Sequence, residues 1–149
     1  MSDLTGNPLI QGLKTSGARI TAQRIAICEW LTGNETHPTA SDVYAALRAD
    51  YPTMSLATVY NTLSALQDLH LISEAGKLPD GSTRYDPSAD PHVNLICTAC
   101  NRIYDLHDVD VDQLFTAAKA DGFRIVNTIV SVYGICQDCQ SEEEAHAER

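Results

Sequence analysis

Two cysteine pairs carry the clearest chemistry in this chain: Cys97-Thr98-Ala99-Cys100 and Cys136-Gln137-Asp138-Cys139. A CxxC turn aims both sulfurs at one point, and two such turns complete a tetrahedron. That is the ligand set of a closed structural zinc site, in which thiolates bind at about 2.3 Å. The same residues could also form disulfides or a redox dithiol. Zinc is favoured because Met1-Ser2-Asp3-Leu4-Thr5-Gly6 shows no basic stretch followed by an apolar run, so no secretion signal is expected and the thiols should stay reduced. The interval between the pairs is longer than in a zinc ribbon, so a whole sub-domain should lie between them.

The chain has 149 residues, which suits one domain or two small ones. Small units have thin cores, and a metal staple is a usual remedy. No apolar run is long enough to span a bilayer, so a soluble, cytoplasmic protein is expected. The formal charge is −10, whereas a nucleic-acid-binding domain is usually basic. The charge is uneven: residues 1–86 hold six Lys/Arg against nine Asp/Glu, and residues 87–149 hold four against eleven. Any DNA binding must therefore rest on a local basic face in the first half, and should be salt-sensitive.

These groups need elements to position them. Residues 9–15 suit a short helix ending at Gly17. Thr21 is a good N-cap for a helix from Ala22 to about Thr32. Cys28 falls on the apolar face of that helix, as core packing. Thr39-Ala40-Ser41-Asp42 resembles a capping box for a second helix through Leu47. Ser55 caps a third, in which Leu56, Val59, Tyr60, Leu63, Leu66 and Leu69 recur at helical spacing. Two β segments follow, Leu71–Ala75 and Thr83–Asp86, joined by a turn at Pro79-Asp80-Gly81-Ser82. Helix, helix, turn, helix and hairpin is the plan of a winged helix-turn-helix, whose third helix would enter the major groove; a generic helical bundle with a hairpin is the alternative. Asp86-Pro87-Ser88-Ala89-Asp90-Pro91 reads as a hinge. Beyond it, strands are expected at His92–Cys97 and Arg102–Leu106, a helix at Val111–Ala120, and a long strand at Phe123–Tyr133. Such a small α/β unit, with sheet edges to cover, suits a symmetric dimer module. The fold class is thus α+β: a winged-helix domain over 1–86, a hinge over 87–91, a dimerisation domain over 92–140, and a frayed acidic tail over 141–149.

One ordered set of residues is familiar. It comprises His37-Pro38-Thr39-Ala40, Ser55-Leu56-Ala57-Thr58-Val59-Tyr60-Asn61, Arg84-Tyr85-Asp86, His92 just before Cys97-x-x-Cys100, and Cys136-x-x-Cys139. Together they resemble the ferric uptake regulator (Fur) family of metal-dependent transcriptional repressors, over nearly the whole chain from about Lys14 to Cys139. Within it the chain looks most like the peroxide-responsive (PerR) branch. The resemblance implies a winged-helix domain, a C-terminal dimerisation domain, and a regulatory metal between them held by His37, Asp86, His92 and Asp105. The branch's fifth ligand is a histidine two residues after His92, where this chain has Asn94; the Asn94 amide oxygen could be a weak fifth ligand or stay out. His107 lies near Asp105 but outside the pattern.

Two imidazoles and two carboxylates form a fairly hard donor set that suits Fe²⁺ or Mn²⁺. An ion needing ligands from both domains would clamp them in one arrangement, which is the physical requirement for a ligand-driven switch. The resemblance implies a repressor that leaves its operator when peroxide oxidises a ligand histidine; plain iron or manganese sensing, and zinc sensing, are the alternatives. DNA contacts are expected from Lys14, Arg19, Ser55, Thr58, Tyr60 and Asn61, the last pairing with adenine, on a palindromic A·T-leaning duplex bound by a homodimer. An enzyme is not expected. Two histidines and a carboxylate also make the facial triad of non-haem iron oxygenases, but the sequence shows no nucleophile set or phosphate-binding glycine loop.

Overall fold

The computed structural model describes residues 6–88 and 91–148. The first five residues, Ala89 and Asp90 in the middle of the expected hinge, and Arg149 lie outside these. The chain divides into two compact units, Met1–Ala89 and Asp90–Arg149.

The first unit runs α1 (Pro8–Thr15), α2 (Ala22–Leu31), α3 (Ala40–Leu47), α4 (Leu56–Asp68), β1 (Ser73–Lys77) and β2 (Thr83–Asp86). Each helix starts on a polar side chain that accepts from its first turn. Asn7 accepts from the Leu9 and Ile10 amides, and Thr21 accepts from Arg24. Thr39 and Asp42 close a reciprocal capping box, and Ser55 accepts from Thr58. Such caps satisfy amides that have no partner inside the helix. The apolar faces meet in one core of Ile10, Leu13, Ile27, Leu31, Val43 and Leu63, with Cys28 and Leu66 fully enclosed. α1 lies so close to Leu71 that a Cβ at Gly12 would collide with that side chain. The wing begins two residues later than expected. His70 adopts a left-handed backbone (φ 56°), and the Leu71 amide donates back to the Leu66 carbonyl at 3.0 Å. Leu71 therefore belongs to the C-terminal cap of α4. β1 and β2 pair antiparallel, with Ser73 opposite Asp86.

The second unit holds β3 (Val93–Cys97), β4 (Ile103–Leu106), α5 (Asp112–Ala120), β5 (Val130–Gly134) and α6 (Gln137–Ala147). The sheet order is β4-β3-β5, with β4 antiparallel and β5 parallel to β3. Two expectations are corrected. The long strand over Phe123–Tyr133 shrinks to β5. Val130 pairs with Val93, the first residue of β3, so the residues before Val130 have no strand on that side to join. Residues 141–147, expected to fray, continue α6 instead. That helix starts inside the second CxxC turn, and its Gln, Glu and Ala residues have high helix propensity. The unit leaves much apolar surface exposed: Phe123 is 70% accessible, Val126 68% and Tyr133 62%. β5 is an edge strand, and an uncovered apolar edge invites pairing with another chain. No described helix is long and apolar enough to cross a membrane.

Candidate functional sites

The four cysteines converge. The antiparallel turn from β3 to β4 carries the first pair, with Asn101 left-handed (φ 62°) and its amide donating to the Cys97 carbonyl. The end of β5 and the first turn of α6 carry the second. Cys97 and Cys139 sulfurs lie 3.9 Å apart, and Cys100 and Cys136 sulfurs 3.8 Å. A tetrahedral ion with bonds of about 2.3 Å separates its thiolates by about 3.8 Å, whereas a disulfide requires about 2.0 Å. All five cysteines are free thiols. Amides of Cys136, Cys100 and Ala99 point at Cys97 and pull its thiol down to about 6; the Cys136 amide is 3.3 Å from the sulfur. The Cys139 amide likewise lowers Cys136, while the Cys139 thiol is raised, first by its hydrogen bond to Cys136. Backbone dipoles thus favour the thiolate form at two of the four sulfurs. Arg102 and Asp138 link the two turns at 3.0 Å, an exposed pair that water and salt screen strongly. In ligand type and spacing the cluster is a structural zinc site.

The first unit presents one histidine–carboxylate pair. His37 Nε2 lies 3.8 Å from Asp86 Oδ2, and the two side chains are 3% and 2% accessible. Asp86 is thus enclosed although it ends a strand. β2 and the loop before α3 are bound to each other. The Tyr85 amide donates to the Pro38 carbonyl at 2.9 Å. Arg84 Nε donates to the His37 carbonyl at 2.8 Å, and its Nη2 donates to the Thr36 carbonyl at 2.9 Å. His37 itself is left-handed (φ 53°), a conformation costing a non-glycine residue roughly 1–2 kcal/mol. Arg84 holds that strained turn in place, and sequence reading did not single out this role because the hydrogen bonds reach backbone 47 and 48 residues away.

The second unit presents another pair on the ribbon of β3 and β4. His92 Nε2 lies 3.5 Å from Asp105 Oδ1. Asn94 pairs with Asp105 across the ladder and is 3% accessible. Its Oδ1 is buried with no hydrogen-bond partner. A buried acceptor left unmatched costs about 1–3 kcal/mol, so a cation in reach of it would be stabilising. Imidazoles, carboxylates and an orphan amide oxygen together make a mixed nitrogen and oxygen donor set of the kind a divalent ion takes.

The basic face lies in the first unit. Arg19, Thr58 and Asn61 line a concavity of about 520 Å³ together with Thr21, Gln23 and Arg24. Asn61 is exposed. Ser55, Tyr60 and Lys14 are exposed outside that concavity, with Tyr60 46% accessible. The Ser55 hydroxyl already caps α4 and lies 3.0 Å from the Thr58 hydroxyl. Arg24 and Gln23 were missed by the sequence reading. Their place in the first turn of α2, just past the Thr21 cap, was the available signal.

A model of the ferric uptake regulator family matches residues 15–133. The chain belongs to that family. Ferric uptake regulators are transcriptional regulators rather than enzymes; they bind DNA and act as dimers. This member is 39% identical over 135 residues to the peroxide operon regulator of Bacillus subtilis strain 168, an alignment covering 90% of this chain and 92% of that protein. It is also similar to a solved structure of PerR from Streptococcus pyogenes, described for peroxide sensing and gene regulation: 39% identity, 89% of this chain and 90% of that one, TM-score 0.51. The manganese-containing ferric uptake regulator of Pseudomonas aeruginosa shares the fold, with TM-score 0.70 at 22% identity over 85% of this chain and 96% of that one.

Proposed function

We propose that this Fur-family chain is a peroxide-responsive transcriptional repressor in which one divalent ion, Fe²⁺ or Mn²⁺, joins the two units. His37 and Asp86 of the first unit and His92 and Asp105 of the second are its ligands, with the Asn94 amide oxygen as a fifth donor. The observation that carries this reading is the presence of one histidine–carboxylate pair in each unit, buried in the first and half-buried in the second. Ligands at about 2.1 Å on one ion stand about 3.0–3.5 Å apart, close to the 3.8 and 3.5 Å of the two pairs. Neither pair alone satisfies a four- to six-coordinate ion. Bound by both, the ion favours the arrangement in which the units are held together, and so shifts the population toward it.

The homodimer forms through the exposed edge strand β5 and the apolar surface beside it. Two copies of α4 then read a palindromic, A·T-leaning operator whose half-sites are spaced by one helical turn, about 34–36 Å, or a multiple. Thr58, Tyr60 and Asn61 face bases and phosphates; Ser55, Lys14 and Arg19 face the backbone. The protein works where the chromosome is, in the cytoplasm. Fe²⁺ held by these residues would supply the redox chemistry that activates peroxide. One oxygen atom of the peroxide would enter the imidazole of His37 or His92 in place of a ring hydrogen and the other would leave as water; the oxidised ring would no longer ligate, and the operator would be released.

Replacement of an imidazole by Asn94 supports a second reading, an iron- or manganese-uptake regulator without peroxide sensing, because the amide oxygen is a weaker donor. A titration of operator binding with Fe²⁺, Mn²⁺ and Zn²⁺, repeated after peroxide, separates the two. Release of DNA by peroxide from the Fe²⁺ form only, with an added oxygen mass on a His37 or His92 peptide, is the expected result. DNA binding that is metal-dependent but indifferent to peroxide would establish the second reading.

A further inference from the structure

The register of β3 and β4 places a second histidine beside the second unit's ligand pair. Asn94 faces Asp105 and Val93 faces Leu106; one step further, His92 faces His107. Side chains alternate along a strand, so His92, Asn94, Asp105 and His107 share one face of the ribbon. Directly opposed residues have Cβ atoms about 4.5–5.5 Å apart, a span from which two imidazoles can meet on one ion. The His92 and His107 rings are already 5.5 Å apart, tilted by 34°. His107 is exposed, at the end of its strand, where its side chain can turn toward the ion at little cost. On the same face the Asn94 Oδ1 is buried and unmatched.

We infer that His107 is a ligand of the regulatory ion, restoring the imidazole that Asn94 does not supply. This rests on the reading that His92 and Asp105 hold a divalent ion. The ribbon face then offers two imidazoles, a carboxylate and an amide oxygen without any help from the first unit. The second unit can therefore take up the ion by itself, and His37 and Asp86 complete the coordination when the units are drawn together.

The test is a Co²⁺ titration of the zinc-loaded full chain, reading both affinity and the visible ligand-field bands, which report donor number and type. Four chains are compared: the natural sequence, His107→Ala, His37→Ala, and His107→Ala combined with Asn94→His. Zinc content and melting temperature confirm folding, and His107→Gln replaces the alanine variant if it misfolds. His107→Ala should weaken Co²⁺ binding by about tenfold or more and change the bands, and Asn94→His should restore both. An unchanged affinity and spectrum in His107→Ala would overturn the inference. Weakened binding with unchanged bands would overturn it too, since His107 would then only orient His92. In either case a loss caused by His37→Ala would leave the bridging reading standing, and no loss from His37→Ala would refute that reading separately.

Discussion

Replacing Arg84 by methionine should impair metal binding without touching a ligand. The guanidinium holds the Thr36 and His37 carbonyls at 2.9 and 2.8 Å, while methionine keeps the apolar stem and loses both hydrogen bonds. His37 would then be free to leave its left-handed conformation (φ 53°), which costs roughly 1–2 kcal/mol to maintain. If the relaxed loop is favoured by that amount, only about one molecule in 5–30 keeps His37 beside Asp86, and apparent affinity falls by the same factor. The assay is competition for Mn²⁺ against a fluorescent chelator. Zinc content and the melting transition serve as controls that both units are folded. Arg84→Lys, which keeps the charge but cannot span two carbonyls in the same fork, should fall between. Natural Mn²⁺ affinity in a folded Arg84→Met protein would refute the claim that this clamp positions His37.

Other outcomes follow from the same geometry. Cys97→Ser should lose zinc and lower the melting temperature, because structural metal binding is folding energy; metal analysis showing full zinc in an intact dimer would exclude the four-sulfur site. Cys28 is fully buried and its thiol is pushed up to about 11, mainly by burial. The folded value lies above the ordinary 9.0, so Cys28 burial supports stability below about pH 9 and loses that contribution as pH rises toward 11. Iodoacetamide at pH 8 should accordingly leave Cys28 unmodified in the folded protein and label it after unfolding, as peptide masses would show. Asn61→Ala should cost about 1–3 kcal/mol in operator affinity with Mn²⁺ affinity unchanged; equal binding in a band-shift titration would remove Asn61 from base reading.

Local signals made much of the fold legible. Thr21, Thr39 and Ser55 are caps whose chemistry is contained within one helical turn, and the structure uses all three as caps. The CxxC spacing likewise encodes its own geometry. What escaped the sequence depends on pairing across the chain. The β-branched run ending at Tyr133 has strand character, but the short β3 pairs with only its last four residues, Val130 to Tyr133, and with Gly134. The acidic end looked unstructured because it has no apolar face, and α6 indeed buries none of its residues; its propensity and its start at the cysteine turn make the helix. Arg84 reads as an ordinary strand residue until β2 is laid against the loop of His37. His107 becomes informative only when the register sets it opposite His92. Asp86 and His37 are nameable from the family pattern, but their burial and mutual approach come from the Arg84 and Tyr85 hydrogen bonds.

The central claim is that one ion takes ligands from both units. Crystals of the Mn²⁺-loaded protein, with diffraction data collected at the manganese absorption edge, test it most directly. One anomalous peak per chain is expected, bonded at about 2.1 Å to His37, Asp86, His92 and Asp105 together. A peak liganded by residues of one unit alone, with the other pair remote from any ion, would contradict it.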